Sequence, residues 1–179
     1  MNNIRLFFKE NLSDRSIFAL DKSQSHYLTK VMRVKVGGIF LIFNKNGEWS
    51  AKIIDIIKGI VEFKVVKRVR HKENIKDIWL AFSPIKSNYF NFMIQKATEL
   101  GVTKFIPIIF DRTIVRKVNN VRLEKIIVEA TEQSNRINIP ILEKPNNLKD
   151  FLKKNAKKID LIFTDLNTSK KKLNIDKIS

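Results

Sequence analysis

The stretch GGIFLIFNKNGEWSAKIIDII (residues 37–57) decides how the first part of the chain folds. Two runs rich in β-branched and aromatic residues flank Asn46-Gly47, a pair that favours a type I′ hairpin turn because both central residues of that turn need positive φ. A second turn at Lys58-Gly59 leads into IVEFKV (residues 60–65), where apolar and charged side chains alternate. The sequence therefore predicts three consecutive antiparallel strands.

Segments on both sides of these strands extend the prediction. A further strand is expected at residues 5–8 and a short helix at residues 23–31. Together with the three strands they predict a small β-barrel or sandwich. The polar and charged residues 67–77 that follow are interpreted as a linker.

The second half of the chain alternates between strand patterns and helical spacing. A compact apolar strand is expected at residues 78–82, and a helix at residues 89–100 with Asn88 as its N-cap and Gly101 as its stop. The series continues with a strand at 105–110, a helix around 123–130, a helix at 148–155 and a strand at 159–164. This alternation predicts an α/β domain with a mainly parallel sheet.

The charge balance points to a class of partner. The chain has 179 residues, 44% of them hydrophobic, so it can bury a core in one domain or in two small ones. Its 35 Lys and Arg against 18 Asp and Glu give a net charge of +17. Such a surplus is typical of a protein that binds a polyanion such as nucleic acid. Codon usage in an AT-rich genome enriches lysine as well, so charge alone leaves both explanations open.

Residue counts exclude several kinds of site. The chain has no Cys, which excludes disulfides, thiolate zinc sites and Cys nucleophiles. Its 2 His stand at no triad or zinc-motif spacing, and its 5 Gly form no dinucleotide-binding or P-loop motif, so no metal is expected. No apolar run approaches the ~20 residues of a membrane span. Since no signal peptide is evident either, we expect a soluble, cytoplasmic protein without a membrane partner.

Three segments are specific when taken together: SHYLTKVMRVKVGG (residues 25–38), IKSNYFNFMIQKATELGVTKFIPI (residues 85–108) and EATEQSNRINIP (residues 129–140). Their order and spacing resemble the RsmE family of ribosomal RNA methyltransferases, which belongs to the SPOUT class. The resemblance implies an α+β two-domain chain. A PUA-like, RNA-binding β-barrel at residues 1–72 would precede an α/β SPOUT methyltransferase domain at residues 73–179, which in the family carries a trefoil knot.

The resemblance also implies an activity, a cofactor and a partner. The family transfers a methyl group from S-adenosylmethionine to N3 of a particular uridine in 16S ribosomal RNA of the small ribosomal subunit. N3 carries a proton that must leave, and a cationic or donor-rich pocket stabilises the anion that forms. A homodimer is typical of the family. Because the knot contributes to the dimer, dimer formation is in doubt for this chain.

Site residues carry over from the family by position. Glu132 and Arg136 match its E-Q-S-G-R motif and are expected to be catalytic, with Asn135 where Gly is common. An alternative for Arg136 is a charge at the end of a helix, facing the helix dipole. The residues expected to contact RNA, which could otherwise be solvated charges or local hydrogen-bond partners, are Arg5, His26, Arg33, Lys86, Arg112 and Lys117.

One departure from the family concerns the cofactor. The strings G-P-E-G-G and L-G-x-R-I-L-R-x-E-T-A, which thread the knot and bind S-adenosylmethionine in the family, do not occur in this sequence. The α/β domain is therefore expected to be incomplete at its C-terminus, and no residue is assigned to the cofactor; the loop after Thr164 is the nearest candidate. Two functions stay open: an active methyltransferase or a non-catalytic RNA-binding remnant. A structural ribosome-associated protein would leave QKATELGV and EQSNR unexplained.

Overall fold

The computed structural model describes residues 4–72 and 74–155 together with residues 160 and 162. Its first part is a five-stranded sheet in the order β1-β3-β4-β5-β2, in which β1 is parallel to β3 and the other pairs are antiparallel. The strands are β1 (Arg5–Phe7), β2 (Ile17–Ala19), β3 (Ile39–Asn44), β4 (Gly47–Ile57) and β5 (Ile60–His71). The three predicted antiparallel strands are confirmed as β3, β4 and β5.

The two hairpin turns differ in their chemistry. Lys58 and Gly59 both have positive φ, at 50° and 81°, as a type I′ turn requires. In the first turn Asn44 pairs with Gly47, so the central residues are 45 and 46, one position earlier than predicted. Neither has positive φ, and the Asn44 side chain accepts a hydrogen bond from the Asn46 amide at 2.8 Å. Gly47 is required instead by close packing, because a Cβ there would lie 2.5 Å from the Arg70 carbonyl oxygen.

The sheet encloses a single apolar core. The rings of Phe8, just after β1, and Phe18, in β2, lie 5.3 Å apart, and both stack against Phe63 of β5. Both edges of the sheet therefore close on the same core, as the predicted small barrel requires. Helix α1 (Lys22–His26) is capped by the Asp21 side chain and continues as a π-helical turn (Tyr27–Val31), which confirms the helix expected there.

The predicted linker at residues 67–77 is wrong for its first five residues, because β5 extends to His71. Charged side chains are tolerated in this strand because they have partners on β4. The Arg68 guanidinium lies 4.7 Å from the centre of the Trp49 ring, and Arg70 pairs with Glu48 at 3.5 Å. Two register shifts between β4 and β5 accompany these pairings.

The second part is an α/β unit with a parallel sheet, as predicted. Strand β7 pairs in parallel with β6, β8 and β9. The elements in chain order are β6 (Trp79–Phe82), α2 (Ser87–Glu99), β7 (Lys104–Ile109), α3 (Asn120–Gln133), β8 (Ile141–Leu142), β9 (Asn146–Asn147) and α4 (Leu148–Asn155). The strand predicted at residues 159–164 lies largely outside the described residues.

Helices α2 and α3 pack on one side of this sheet. Ile94 of α2 and Ile127 of α3 are buried against Phe105 of β7. Asn88 is not the N-cap of α2, since the helix begins at Ser87 and Lys86 occupies the cap position. Gly101 ends the helix with a φ of 108°, as predicted. Among residues 4–72 and 74–155, no helix has both the length and the apolar character to span a membrane.

Candidate functional site

The predicted site residues fall into three separate places. His26 and Arg33 lie on the barrel. Lys86, Arg112 and Lys117 follow β6 and β7 and form what we call the carboxyl-edge group. Glu132, in the last turn of α3, and Arg136, between α3 and β8, form the amino-edge group. The six-residue strand β7 spans about 20 Å between the two edges, so one site on one copy of the chain does not include both groups.

The carboxyl-edge group lies where parallel α/β sheets commonly bind ligands. Two loops meet there: the Ser83 hydroxyl lies 3.0 Å from the Thr113 hydroxyl, which also accepts a hydrogen bond from the Phe110 amide at 2.8 Å. Lys86 and Arg112 belong to these two loops. Both side chains are exposed, as is Lys117, so all members of the carboxyl-edge group are accessible to solvent.

Arg136 of the amino-edge group makes contacts that stabilise a helix end. Its Nη1 donates to the backbone carbonyls of Thr98 and Val102, the second at 3.0 Å. The Thr98 carbonyl lies in the last turn of α2, where backbone acceptors lack helical partners, and Val102 lies just after this helix. Burial lowers the pKa of Arg136 below its ordinary value, although arginine stays protonated in proteins. Arg136 thus lies near the end of a helix, as the alternative interpretation predicted, but this helix is α2 and not α3, which precedes Arg136 in the chain.

Arg136 also borders an open cleft of about 270 Å³ at the amino edge. The Nε and Nη2 atoms of Arg136 make no hydrogen bond within the described part of the chain, so they can still act as donors. Besides Arg136, the cleft is lined by Ile75, Lys76, Ile78, Gly101, Ile137 and Asn138.

Glu132 is a carboxylate at the contact between the barrel and α3. Its Oε1 accepts a hydrogen bond from the Phe7 amide of β1 at 2.8 Å. Burial raises the pKa of Glu132 to about 7, and the charge of Glu129 adds to the rise. The Phe7 amide and the Arg5 guanidinium act in the opposite direction without cancelling the effect of burial. Glu132 therefore gains and loses its proton near neutral pH.

Arg5 was expected to contact RNA, and the structure corrects this. Its side chain is 5% exposed and pairs with Glu48, which is 2% exposed. The remaining guanidinium nitrogens donate to backbone carbonyls of residues 131, 132 and 136. A guanidinium enclosed in this way has no free edge for a phosphate.

His26 and Arg33 are exposed on the barrel. They flank the π-helical turn, a type of turn that is often found at functional sites. Arg33 has a φ of 56°, a left-handed conformation that non-glycine residues rarely adopt. The Val34 amide closes this bend by donating to the Leu28 carbonyl at 2.9 Å.

Sequence reasoning missed two residues that the structure places at the contact with the amino-edge group. Glu48 is buried, and Arg70 donates to the Asn135 carbonyl at 2.9 Å and to the Asn135 side chain at 3.1 Å. Asn135 has a φ of 60°, a conformation that glycine adopts easily, and glycine is common at this position in the family that the sequence resembles. The available signal was Glu48 directly after the hairpin glycine, but β4 also has charged residues at Lys52 and Asp55, so the charge alone did not single it out. No cluster of residues suited to a metal ion occurs in the described ranges.

Comparisons with known proteins agree with this two-part architecture. A model of an RNA methyltransferase domain matches residues 71–178, and a model of an RNA methyltransferase PUA domain matches residues 20–66. The chain is 36% identical over 153 residues to ribosomal RNA small subunit methyltransferase E of Rickettsia conorii, covering 84% of this chain and 63% of that protein. For the protein of the same name from Buchnera aphidicola subsp. Acyrthosiphon pisum the identity is 33%, covering 80% and 60%. The chain thus spans less than two thirds of the length of these relatives.

Solved structures show the same likeness. Ribosomal RNA small subunit methyltransferase E from Neisseria gonorrhoeae, bound to S-adenosylmethionine, superposes with a TM-score of 0.75 at 27% identity, covering 83% of this chain and 63% of that one. A putative methyltransferase from Legionella pneumophila, in complex with the same cofactor, gives a TM-score of 0.78 at 25% identity, covering 86% and 66%. The PUA-like part and the methyltransferase-like part are therefore both similar to those of known RNA methyltransferases.

Proposed function

The chain belongs to the RNA methyltransferase family, and from this premise we propose that it methylates ribosomal RNA of the small subunit with S-adenosylmethionine as the methyl donor. The observation that carries the proposal is the succession of two matched domains, a PUA domain and then an RNA methyltransferase domain, in one chain. The names of the relatives support the choice of small-subunit ribosomal RNA.

The proposed target atom is N3 of a uridine in 16S ribosomal RNA. When bound, S-adenosylmethionine would supply an electrophilic methyl group. After N3 has lost its proton, the new N–C bond would form as the bond between sulfur and the methyl carbon breaks and S-adenosylhomocysteine leaves. The cations of the carboxyl-edge group, Lys86, Arg112 and Lys117, are suited to stabilise the N3 anion or the neighbouring phosphates. His26 and Arg33 are proposed to contact RNA from the barrel.

For the cofactor we propose the carboxyl edge of the sheet. The Ser83 hydroxyl and the exposed Asp111 carboxylate have the chemistry to hydrogen-bond a ribose, so the residues present fit part of the group. Two S-adenosylmethionine-bound structures similar to this chain support the choice of cofactor. The loop after Thr164, which is the nearest candidate in the sequence for a cofactor-binding segment, lies outside the described residues.

The remaining assignments are part of the same proposal. The domain division is proposed at residues 72 and 73, and the location as cytoplasmic. Glu132 and Arg136 keep their predicted catalytic role as a proposal. Their distance from the carboxyl edge means that they would act on RNA bound at the amino edge, or on the substrate of a second copy. A dimer, which is typical of the family, is therefore also worth testing.

Methyl transfer tests the proposal directly. Incubating the full chain with methyl-tritiated S-adenosylmethionine and either small subunits or protein-free 16S ribosomal RNA should label the RNA. Primer extension should then stop at one uridine, because a methyl group on N3 blocks base pairing. Isothermal titration with S-adenosylmethionine measures cofactor binding separately. Binding of RNA without any label, at a saturating cofactor concentration, would instead support a non-catalytic RNA-binding function.

A further inference from the structure

The contacts of Arg5 converge on the end of helix α3. Arg5 Nη1 donates to the carbonyl oxygens of Thr131 at 3.2 Å and Glu132 at 2.9 Å, and Nη2 donates to that of Arg136 at 3.0 Å. Carbonyls in the last turn of a helix have no partner within the helix, and a cation there also meets the negative end of the helix dipole. A residue of the barrel thus caps a helix of the α/β part.

Glu48 holds this arginine in place. Its Oε1 lies 2.5 Å from Arg5 Nε, and its Oε2 lies 3.5 Å from Arg70 Nη1. The Glu48 side chain is 2% exposed, so its charge depends on these two arginines for compensation. Arg70 in turn donates to the backbone and side chain of Asn135. We call Arg5, Glu48 and Arg70 the clasp.

The clasp connects three strands of the barrel with one short segment. Arg5 comes from β1, Glu48 from β4 and Arg70 from β5, and the acceptors described above on the α/β side belong to residues 131–136. The Phe7 amide of β1 adds a further direct contact, to the Glu132 side chain. A planar guanidinium has its donors in fixed directions, so several bonds from one guanidinium fix orientation as well as distance.

We propose that the clasp positions the barrel against residues 131–136, so that the cations of the barrel and those of the α/β part bind one RNA as a fixed pair. Arg5, Glu48 and Arg70 are positioning residues in this scheme, since none of them needs to touch the RNA. The statement about RNA rests on the proposed function, whereas the fixed orientation of the two parts does not.

The orientation can be measured because the chain has no cysteine. Lys52→Cys on β4 and Lys125→Cys on α3, both exposed, provide two sites for spin labels. We expect the parent to give one narrow label-to-label distance. Arg5→Lys keeps the charge and cannot reach the carboxylate and three carbonyls together, so we expect a broad distribution. Arg122→Ala, which removes an exposed positive charge from α3, serves as the control and should leave the distance narrow.

A second variant covers the case in which a single substitution unfolds the chain. Replacing Arg5 by Met and Glu48 by Leu together removes the buried charges as a pair and leaves neither unpaired. This double variant should fold, as judged by circular dichroism, and should also give a broad distribution. A narrow distance in folded Arg5→Lys and in the folded double variant would overturn the proposal.

RNA affinity tests the consequence of positioning. With protein-free 16S ribosomal RNA as the probe, we expect the clasp variants to bind about tenfold more weakly, because two tethered surfaces lose effective concentration when their orientation is free. Arg122→Ala should lose no more than one phosphate contact. Unchanged affinity in a variant with a broad distance would overturn the positioning role. If the parent itself bound no RNA, the proposed function would fail, and the distance measurement would still decide whether the clasp fixes the orientation.

Discussion

The carboxyl group of Glu132 illustrates how the surroundings of one residue set its chemistry. Its pKa lies at about 7 because the side chain is buried where β1 meets α3. Among the groups close to it, Arg5 and the Phe7 amide favour the charged form, and Glu129 disfavours it. Protonation of Glu132 is therefore linked to the stability of the contact between the two parts of the chain.

This linkage predicts a pH dependence. Folding raises the pKa of Glu132 from 4.5 to about 7. The stability that the protonated carboxyl group contributes is therefore fully present below pH 4.5 and is lost as the pH rises through about 7. The shift corresponds to about 3 kcal/mol at most, which partial solvent exposure reduces. Urea unfolding at pH 5 and pH 8 should show the parent losing stability relative to Glu132→Gln, which mimics the protonated form. Glu129→Gln is the control, and parallel profiles of the parent and Glu132→Gln would contradict the assignment.

Arg136 allows a structural role to be separated from a catalytic one. Because Nη1 donates to the Thr98 and Val102 carbonyls, Arg136→Ala should lower the free energy of unfolding by about 2 kcal/mol. Arg112→Ala, which removes an exposed arginine at the other edge, should change it by less than about 0.5 kcal/mol. Chemical denaturation measures both. Unchanged stability of Arg136→Ala, together with lost methyl transfer, would show that its main role is catalytic.

At the level of elements, the end of α2 depends on backbone freedom. Gly101 has a φ of 108°, and no atom lies within 4 Å of the position that a Cβ would take. Gly101→Ala therefore costs only the backbone strain, about 1 to 2 kcal/mol. Thermal unfolding should show a lower Tm for this variant. The adjacent Leu100→Ala, at a site 84% exposed, should leave Tm nearly unchanged, and equal Tm values for both variants would contradict the prediction.

The sequence predicted the elements whose signal is local and long enough to repeat. Helices α2 and α3 and the strands β3 to β5 have periodic apolar residues, and the start of each was located to within a few residues. Strands β2, β8 and β9 have 3, 2 and 2 residues, too few for a period, and were missed. The end of β5 was missed because its charges are compensated across the sheet by Trp49 and Glu48, which no local pattern records.

The sequence predicted which residues belong to the candidate site, but it did not predict how they are arranged in space. Sequence motifs that resemble those of the family identified Glu132, Arg136 and the exposed cations. They gave no sign that two edges of the sheet separate these residues, because that depends on which strand each one follows. Arg5 was assigned to RNA by its resemblance to an arginine of the family's first strand, and the sequence did not show its partner because Glu48 lies 43 positions away, beyond any local pattern.

At the scale of the whole molecule, the net charge of +17 predicts salt-dependent RNA binding. Each phosphate contact contributes about 0.7 to 0.9 to the slope of log affinity against log salt concentration. Lys86→Ala and Arg112→Ala should each reduce that slope by about one and weaken binding to all RNA sequences alike. The control is Ile114→Ala, because Ile114 is an exposed, uncharged residue in the same loop as Arg112, and this variant should leave the slope unchanged. If Lys86→Ala and Arg112→Ala also left the slope unchanged, phosphate contact at this edge would be excluded.

The bonds from Arg5 to residues 131 and 136 span 126 and 131 positions of sequence, which bears on the order of folding. During synthesis the N-terminal part of a chain folds first, and long-range contacts form late because closing a long loop costs entropy. The barrel can collapse around Phe63 before the end of α3, which Arg5 contacts, has been synthesised. The first strand of the chain is thus among the last to acquire all its native bonds, and a nascent chain released before α3 is made would leave Arg5 without its helix partners.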